Sequence, residues 1–173
     1  MATSQVALEG SPSRRSAIGS LAVLSLGAAA IHFAVMPEHF AEWWAFGLFF
    51  AAIGWFEALW AVGYVTIPTR GMAGLGLAVN AGTVLLWAAS RTTGLPIGPE
   101  PWVPEAIGAP DVMATTLEVL LVLGLAAALA TPRLGTSKAR PTIGAMSAIT
   151  LGVSVLIAVA TTLAIAISNQ TAG

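Results

Sequence analysis

Five stretches of this chain are each about 20 residues long and almost wholly apolar, the length a helix needs to cross the hydrocarbon core of a bilayer. They run over about residues 17–36, 44–67, 72–90, 112–130 and 143–167. In hydrocarbon no water is present to satisfy backbone N–H and C=O groups, so each run must satisfy its own as a helix. The expected fold class is therefore all-α, an integral membrane helical bundle of five spans. Residues 1–16 form a tail before the bundle and 168–173 a tail after it. Composition agrees: 9% of residues are charged, against about 25% in soluble domains. A competing pattern sits at the start. "SRRSAIGSLAVLSLGAAA" has the arginine pair, apolar run and small residues of an export signal. Cleavage after Ala30 would leave four spans. The apolar run continues through "IHFAVM", which fits a retained helix better.

Lysine and arginine placement orients the bundle. Arg14, Arg15, Arg70, Arg133, Lys138 and Arg140 fall on one side, and Arg91 alone on the other. The basic side is expected to be cytoplasmic, in a bacterial inner (plasma) membrane, with the N-terminus inside and the C-terminus outside. Glu38, Glu42, Glu100, Glu105 and Asp111 then gather on the outer face. The long outer connection, residues 91–111, holds five prolines and three glycines, so it should be an irregular loop. It could cover the outer face or dock another protein. A net charge of −1 with no basic face argues against a nucleic-acid partner. The absence of cysteine excludes disulfides, thiolate metal sites and thiol redox chemistry. The partners expected are the lipid bilayer and, through seams of small residues such as Gly47/Ala51 and Gly54/Ala58, another helix of this chain, of a second copy or of a membrane complex. Trp43, Trp44, Trp60, Tyr64 and Trp87 read as anchors at the membrane edges.

Ionisable residues inside spans are costly and so are candidates for function. His32 is expected roughly 6 Å below the outer end of the first span and Glu118 roughly 9 Å below that of the fourth. Asp111, Thr115 and Glu118 share one helix face at spacings i, i+4 and i+7. In "PEHFAEWW", Pro37 reads as the start of the second helix, with Glu38 and Glu42 near the positive end of its dipole. His39 and Glu42 are three apart, a neighbour spacing. This outer layer offers a candidate metal set of His32, His39, Glu42 and Glu118, suited to zinc, copper or iron(II), with Glu38 and Asp111 on its rim. A deeper layer holds Glu57 and Asn80, expected to hydrogen-bond near the midplane. Three functions stay open. A His32–Glu118 pair could join two helices in a non-enzymatic structural or accessory component. A divalent transition metal could occupy the outer layer. The polar residues could line a proton or small-solute path. No nucleophile–base set or phosphate loop argues for an enzyme.

At "IHFAVMPEHFAEWWAFGLFF" and "SRTTGLPIGPEPWVPEAIGAPDV" the chain resembles a group of small actinobacterial multi-spanning membrane proteins. They share the PEHF–EWW hairpin and the Gly-Pro-Glu-Pro loop across the first four helices. That resemblance implies the topology and carries no activity with it.

Overall fold

The computed structural model describes residues 12–131. These residues form four helices, α1 (Pro12–Glu42), α2 (Trp44–Thr66), α3 (Arg70–Thr92) and α4 (Ala109–Ala130). All four are long and apolar enough to cross a membrane, so the described part is a membrane-embedded helical bundle. The fifth expected span, 143–167, lies outside the described residues. The segment weighed as an export signal belongs to α1, whose Leu21, Ala22, Ala28 and Ala29 are buried in the bundle.

The chain runs up and down. α1 packs against α2 and α4, and α3 packs mainly against α4. One end of the bundle is filled. Leu21 of α1, Trp60, Ala61 and Tyr64 of α2, Ala73 of α3, and Leu121 and Leu125 of α4 form a continuous core there. Lipid is as apolar as leucine, so burial alone gains little, and close packing has to hold the helices together. Gly76 serves this purpose: a Cβ at that position would collide with the indole of Trp60. Trp60 also donates from Nε1 to the Met72 carbonyl at 2.8 Å and stacks on Tyr64. Trp60 and Tyr64, expected as anchors facing the membrane edge, are 2% and 1% exposed. They are core residues, because small partners at Ala61, Ala73 and Gly76 leave room for two large rings inside.

The α1–α2 hairpin differs from its expected form. Helix α1 continues through Pro37 to Glu42, and the break falls at Trp43, whose backbone is extended. Proline costs one i to i−4 bond and a clash with the preceding turn, which a helix lying on neighbouring helices can absorb. Pro37 is therefore not a helix start, and Glu38 and Glu42 sit at the C-terminal end of α1, not at the positive end of α2. The reversal is tight because Gly47 of α2 makes room for the ring of Phe40.

At the other helix ends the chain is capped as its sequence suggests. Thr69 accepts from the Met72 N–H to start α3. Asp111 accepts from the Gly108 N–H, with Pro110 in the first turn of α4. Arg70 closes the filled end by donating to the Leu129 and Thr131 carbonyls at 2.6 and 3.3 Å. These would otherwise be orphan acceptors at the end of α4.

Candidate functional site

The extension of α1 from Met36 to Glu42 changes depth as well as shape: His32 lies ten residues, or roughly 15 Å, from the end of α1. It is therefore lower than a helix ending at Met36 would put it. Glu57 is thirteen residues into α2, roughly 20 Å, and Glu118 nine residues into α4, roughly 13 Å. The expected outer and deep layers thus merge at one level, and three helices meet there.

The Nε2 atom of His32 lies 2.9 Å from Oε1 of Glu118 and 3.6 Å from Oε2 of Glu57. One ligand atom from each of the three residues falls within 4.8 Å of the other two. Burial is nearly complete, with 4%, 0% and 1% of His32, Glu57 and Glu118 exposed. The His32–Glu118 contact is a hydrogen bond, but both carboxylate oxygens of Glu57 and the Nδ1 of His32 have no hydrogen-bond partner among the described residues. Nearby, Ser25 of α1 donates to the Glu57 backbone carbonyl at 2.9 Å, fixing the height of α1 against α2.

The other sequence candidates go elsewhere. Asn80 does not bond Glu57. Its Nδ2 donates to the Gly76 carbonyl of its own helix at 2.8 Å, and its Oδ1 is buried without a partner among the described residues. An amide can satisfy itself one turn back along its own helix, which the expected Glu57–Asn80 bond leaves out of account. His39 and Glu42 pair with each other at 3.3 Å near the end of α1. The ring of His39 stacks on Phe50 at a centroid distance of 3.9 Å and 3° between planes. Neither residue joins the group of three potential ligands. Glu38, expected on the rim, is an exposed residue of the last turns of α1.

The end of the bundle opposite the filled core is hollow. A cavity of about 340 Å³ reaches from His32 and Glu118 to the 91–111 loop. Aromatic rings supply much of its wall, from Trp43, Phe46, Phe49 and Phe50 of the hairpin and Trp87 of α3. His32, His39, Asp111, Thr115 and Glu118 all line it, so the i, i+4, i+7 face of α4 does point inward as a unit. The loop acts as a cover, with Leu95, Pro96, Ile97 and Glu105 on its inner surface. It is tied down by Arg91, which pairs with Glu105 of the loop and with Asp111 at the start of α4, the latter at 2.9 Å. A backbone bond from Glu105 N–H to the Ser90 carbonyl folds it back on α3, and one from Trp102 N–H to the Leu95 carbonyl closes it on itself. In the sequence, Arg91 reads only as a charge that sets orientation. Its place beside a loop with two acids inside it, Glu100 and Glu105, and Asp111 at its end is the signal that could have marked a latch.

No family model, curated protein or solved structure matches this chain.

Proposed function

We propose that this membrane protein binds a divalent transition-metal ion between α1, α2 and α4, with His32, Glu57 and Glu118 as its protein ligands. Glu57 carries the proposal. A helix-joining His32–Glu118 pair, the structural reading of the sequence, accounts for those two residues and leaves Glu57 unexplained. Its two oxygens are fully buried and unpartnered among the described residues, and one is 3.6 Å from an imidazole nitrogen that a second acid already occupies. Two buried acids against one imidazole is a costly arrangement unless positive charge joins them. A dication supplies it. One nitrogen and two oxygens suit zinc, iron(II) or manganese. Metal–ligand bonds of about 2.0–2.2 Å imply ligand separations of about 3.3–3.6 Å in a tetrahedron; the 3.6 Å between His32 and Glu57 matches, and the 2.9 Å between His32 and Glu118 would open by about 0.4 Å or more.

Histidines bound to metal usually donate their second N–H, and loss of that partner costs about 10–100-fold in affinity. With Nδ1 of His32 unpartnered, the site should hold an exchangeable ion, in keeping with a metal-handling accessory protein rather than one with a permanent metal. A proton shared among the three groups is the alternative that the same bare Nδ1 favours. The basic residues on the filled side, Arg14, Arg15 and Arg70, support a cytoplasmic position for that end. The cavity and its loop would then face outward.

Equilibrium dialysis of detergent-purified protein against zinc, iron(II) or manganese separates the two. Wild-type protein should take up about one ion per chain, with affinity weakened at least roughly tenfold in Glu57→Gln and His32→Ala. Binding no greater than the detergent blank for every ion in folded wild-type protein would end the metal proposal and leave the proton.

A further inference from the structure

The hollow end of the bundle has a chemistry that a metal ion does not use. Its walls are aromatic and aliphatic, which is a poor lining for a hydrated cation and a good one for an organic ring. At about 340 Å³ it lies at the small end of ligand pockets, about 300–1,000 Å³. One or two fused rings fit that volume, and the aromatic walls suit a flat ring better than a flexible acyl chain. His32 stands at its base with Nδ1 buried and unpartnered among the described residues, and Trp87 stands in its wall with Nε1 in the same condition. A buried indole N–H normally finds an acceptor, and a buried donor left unpaired carries its full desolvation penalty. Both orphan nitrogens belong to residues of the same cavity. Phe50, between the rings of His39 and His32 at 3.9 and 5.6 Å, gives it a flat side. Rings prefer stacked or edge-to-face partners.

We propose that this cavity is a binding site for a membrane-soluble aromatic ring carrying hydroxyl or carbonyl oxygens, of the phenol or quinone class, one of whose oxygens accepts from Trp87 Nε1–H, while Nδ1 of His32 accepts from a ring hydroxyl or, in the tautomer that carries its hydrogen there, donates to a ring carbonyl. The ring lies against Phe50 and its neighbours, and the 91–111 loop, latched by Arg91, covers it. The site is beside the three-residue group and does not depend on a metal being there, so it is tested on chelator-treated protein.

The probe is menadione, with methylnaphthalene as the same ring system lacking the oxygens. Binding is read as saturable quenching of tryptophan fluorescence in lipid nanodiscs and checked by equilibrium dialysis, with protein-free discs as the blank. Wild-type protein should bind menadione saturably, and methylnaphthalene roughly tenfold or more weakly, the loss of one or two buried hydrogen bonds. Trp87→Phe keeps the ring and removes the donor, so it should weaken menadione by roughly tenfold and leave methylnaphthalene unchanged. Thr115→Trp fills the cavity from the α4 wall and should abolish saturable binding of both. Circular dichroism and gel filtration establish that each variant is folded, and Trp87→Phe serves if Thr115→Trp is not. Equal binding of the two probes, unchanged menadione affinity in Trp87→Phe, or no saturation above blank discs would each overturn the assignment.

Discussion

The three-residue group makes a quantitative prediction about how its members share one another's loss. Consider the His32–Glu118 hydrogen bond, 2.9 Å long and nearly unexposed. Breaking a buried ion pair by removing one partner costs about 3–5 kcal/mol when the other charge is stranded. Polar contacts between transmembrane helices measure far less, averaging about 0.6 with a maximum near 1.7 kcal/mol, because groups find new partners. The structure says which case applies. With Glu118 replaced, Glu57 is still 3.6 Å from the same Nε2, and a shift of under about 1 Å brings it to hydrogen-bond length. The double-mutant cycle of His32→Leu and Glu118→Leu should therefore give a coupling of about 1–1.5 kcal/mol in the wild-type background. In a Glu57→Leu background no substitute remains, and the same cycle should rise to about 3 kcal/mol. The assay is reversible unfolding of metal-free protein in bicelles by steric trapping, with the wild type and seven variants covering the two cycles. A coupling that is identical in the two backgrounds would mean that Glu57 does not face His32, and the shared site would be wrong. A wild-type coupling near zero would mean that the hydrogen bond itself does not form.

Glycine replacements test the filled end. Gly76→Ala should lower stability by about 1–3 kcal/mol because its methyl group meets the indole of Trp60. Gly82→Ala, with open space around it, should be neutral or stabilising by up to about 1 kcal/mol through helix propensity. Thermal unfolding in detergent compares them, and equal losses would contradict the packing. Arg91→Gln should unlatch the loop, seen as amide exchange in residues 95–107 faster by roughly tenfold or more with little change in the protection of α1 and α2. Unaltered loop exchange would show that the backbone bonds to Ser90 and Leu95 hold the loop without the ion pairs.

How much of this is legible in the sequence divides along a physical line. Apolar run length determines where helices exist, and runs 44–67, 72–90 and 112–130 correspond to α2, α3 and α4 with ends within three residues. Cap chemistry is equally local: Asp111 and Pro110 open α4 as their types suggest. What one helix meets on another depends on depth and rotation together, and both hang on where each helix ends. Proline is a strong breaker in water and points to an end at Met36, yet this membrane helix passes through it. The true break at Trp43 has neither glycine nor proline to announce it. An end at Met36 instead of Glu42 raises His32 by about six residues, roughly 9 Å, and so puts it in a different layer from Glu57. It also groups His32 with His39 and Glu42, which lie above it on the rim.

The same shift explains why the His32–Glu118 pair is foreseeable and the third member is not. Two ionisable residues inside spans require partners whatever their depth, so pairing them needs only that some face be shared. Assigning Glu57 to them rather than to Asn80 needs the depth to be right within one turn, about 5.4 Å, less than the error introduced at Pro37. Asn80 removes the remaining constraint by bonding its own helix at Gly76, an option open to amides and closed to a carboxylate, which has no N–H to give. A buried acid has to find a donor or a cation. That is why, of the two residues expected near the midplane, it is the carboxylate that ends beside the imidazole.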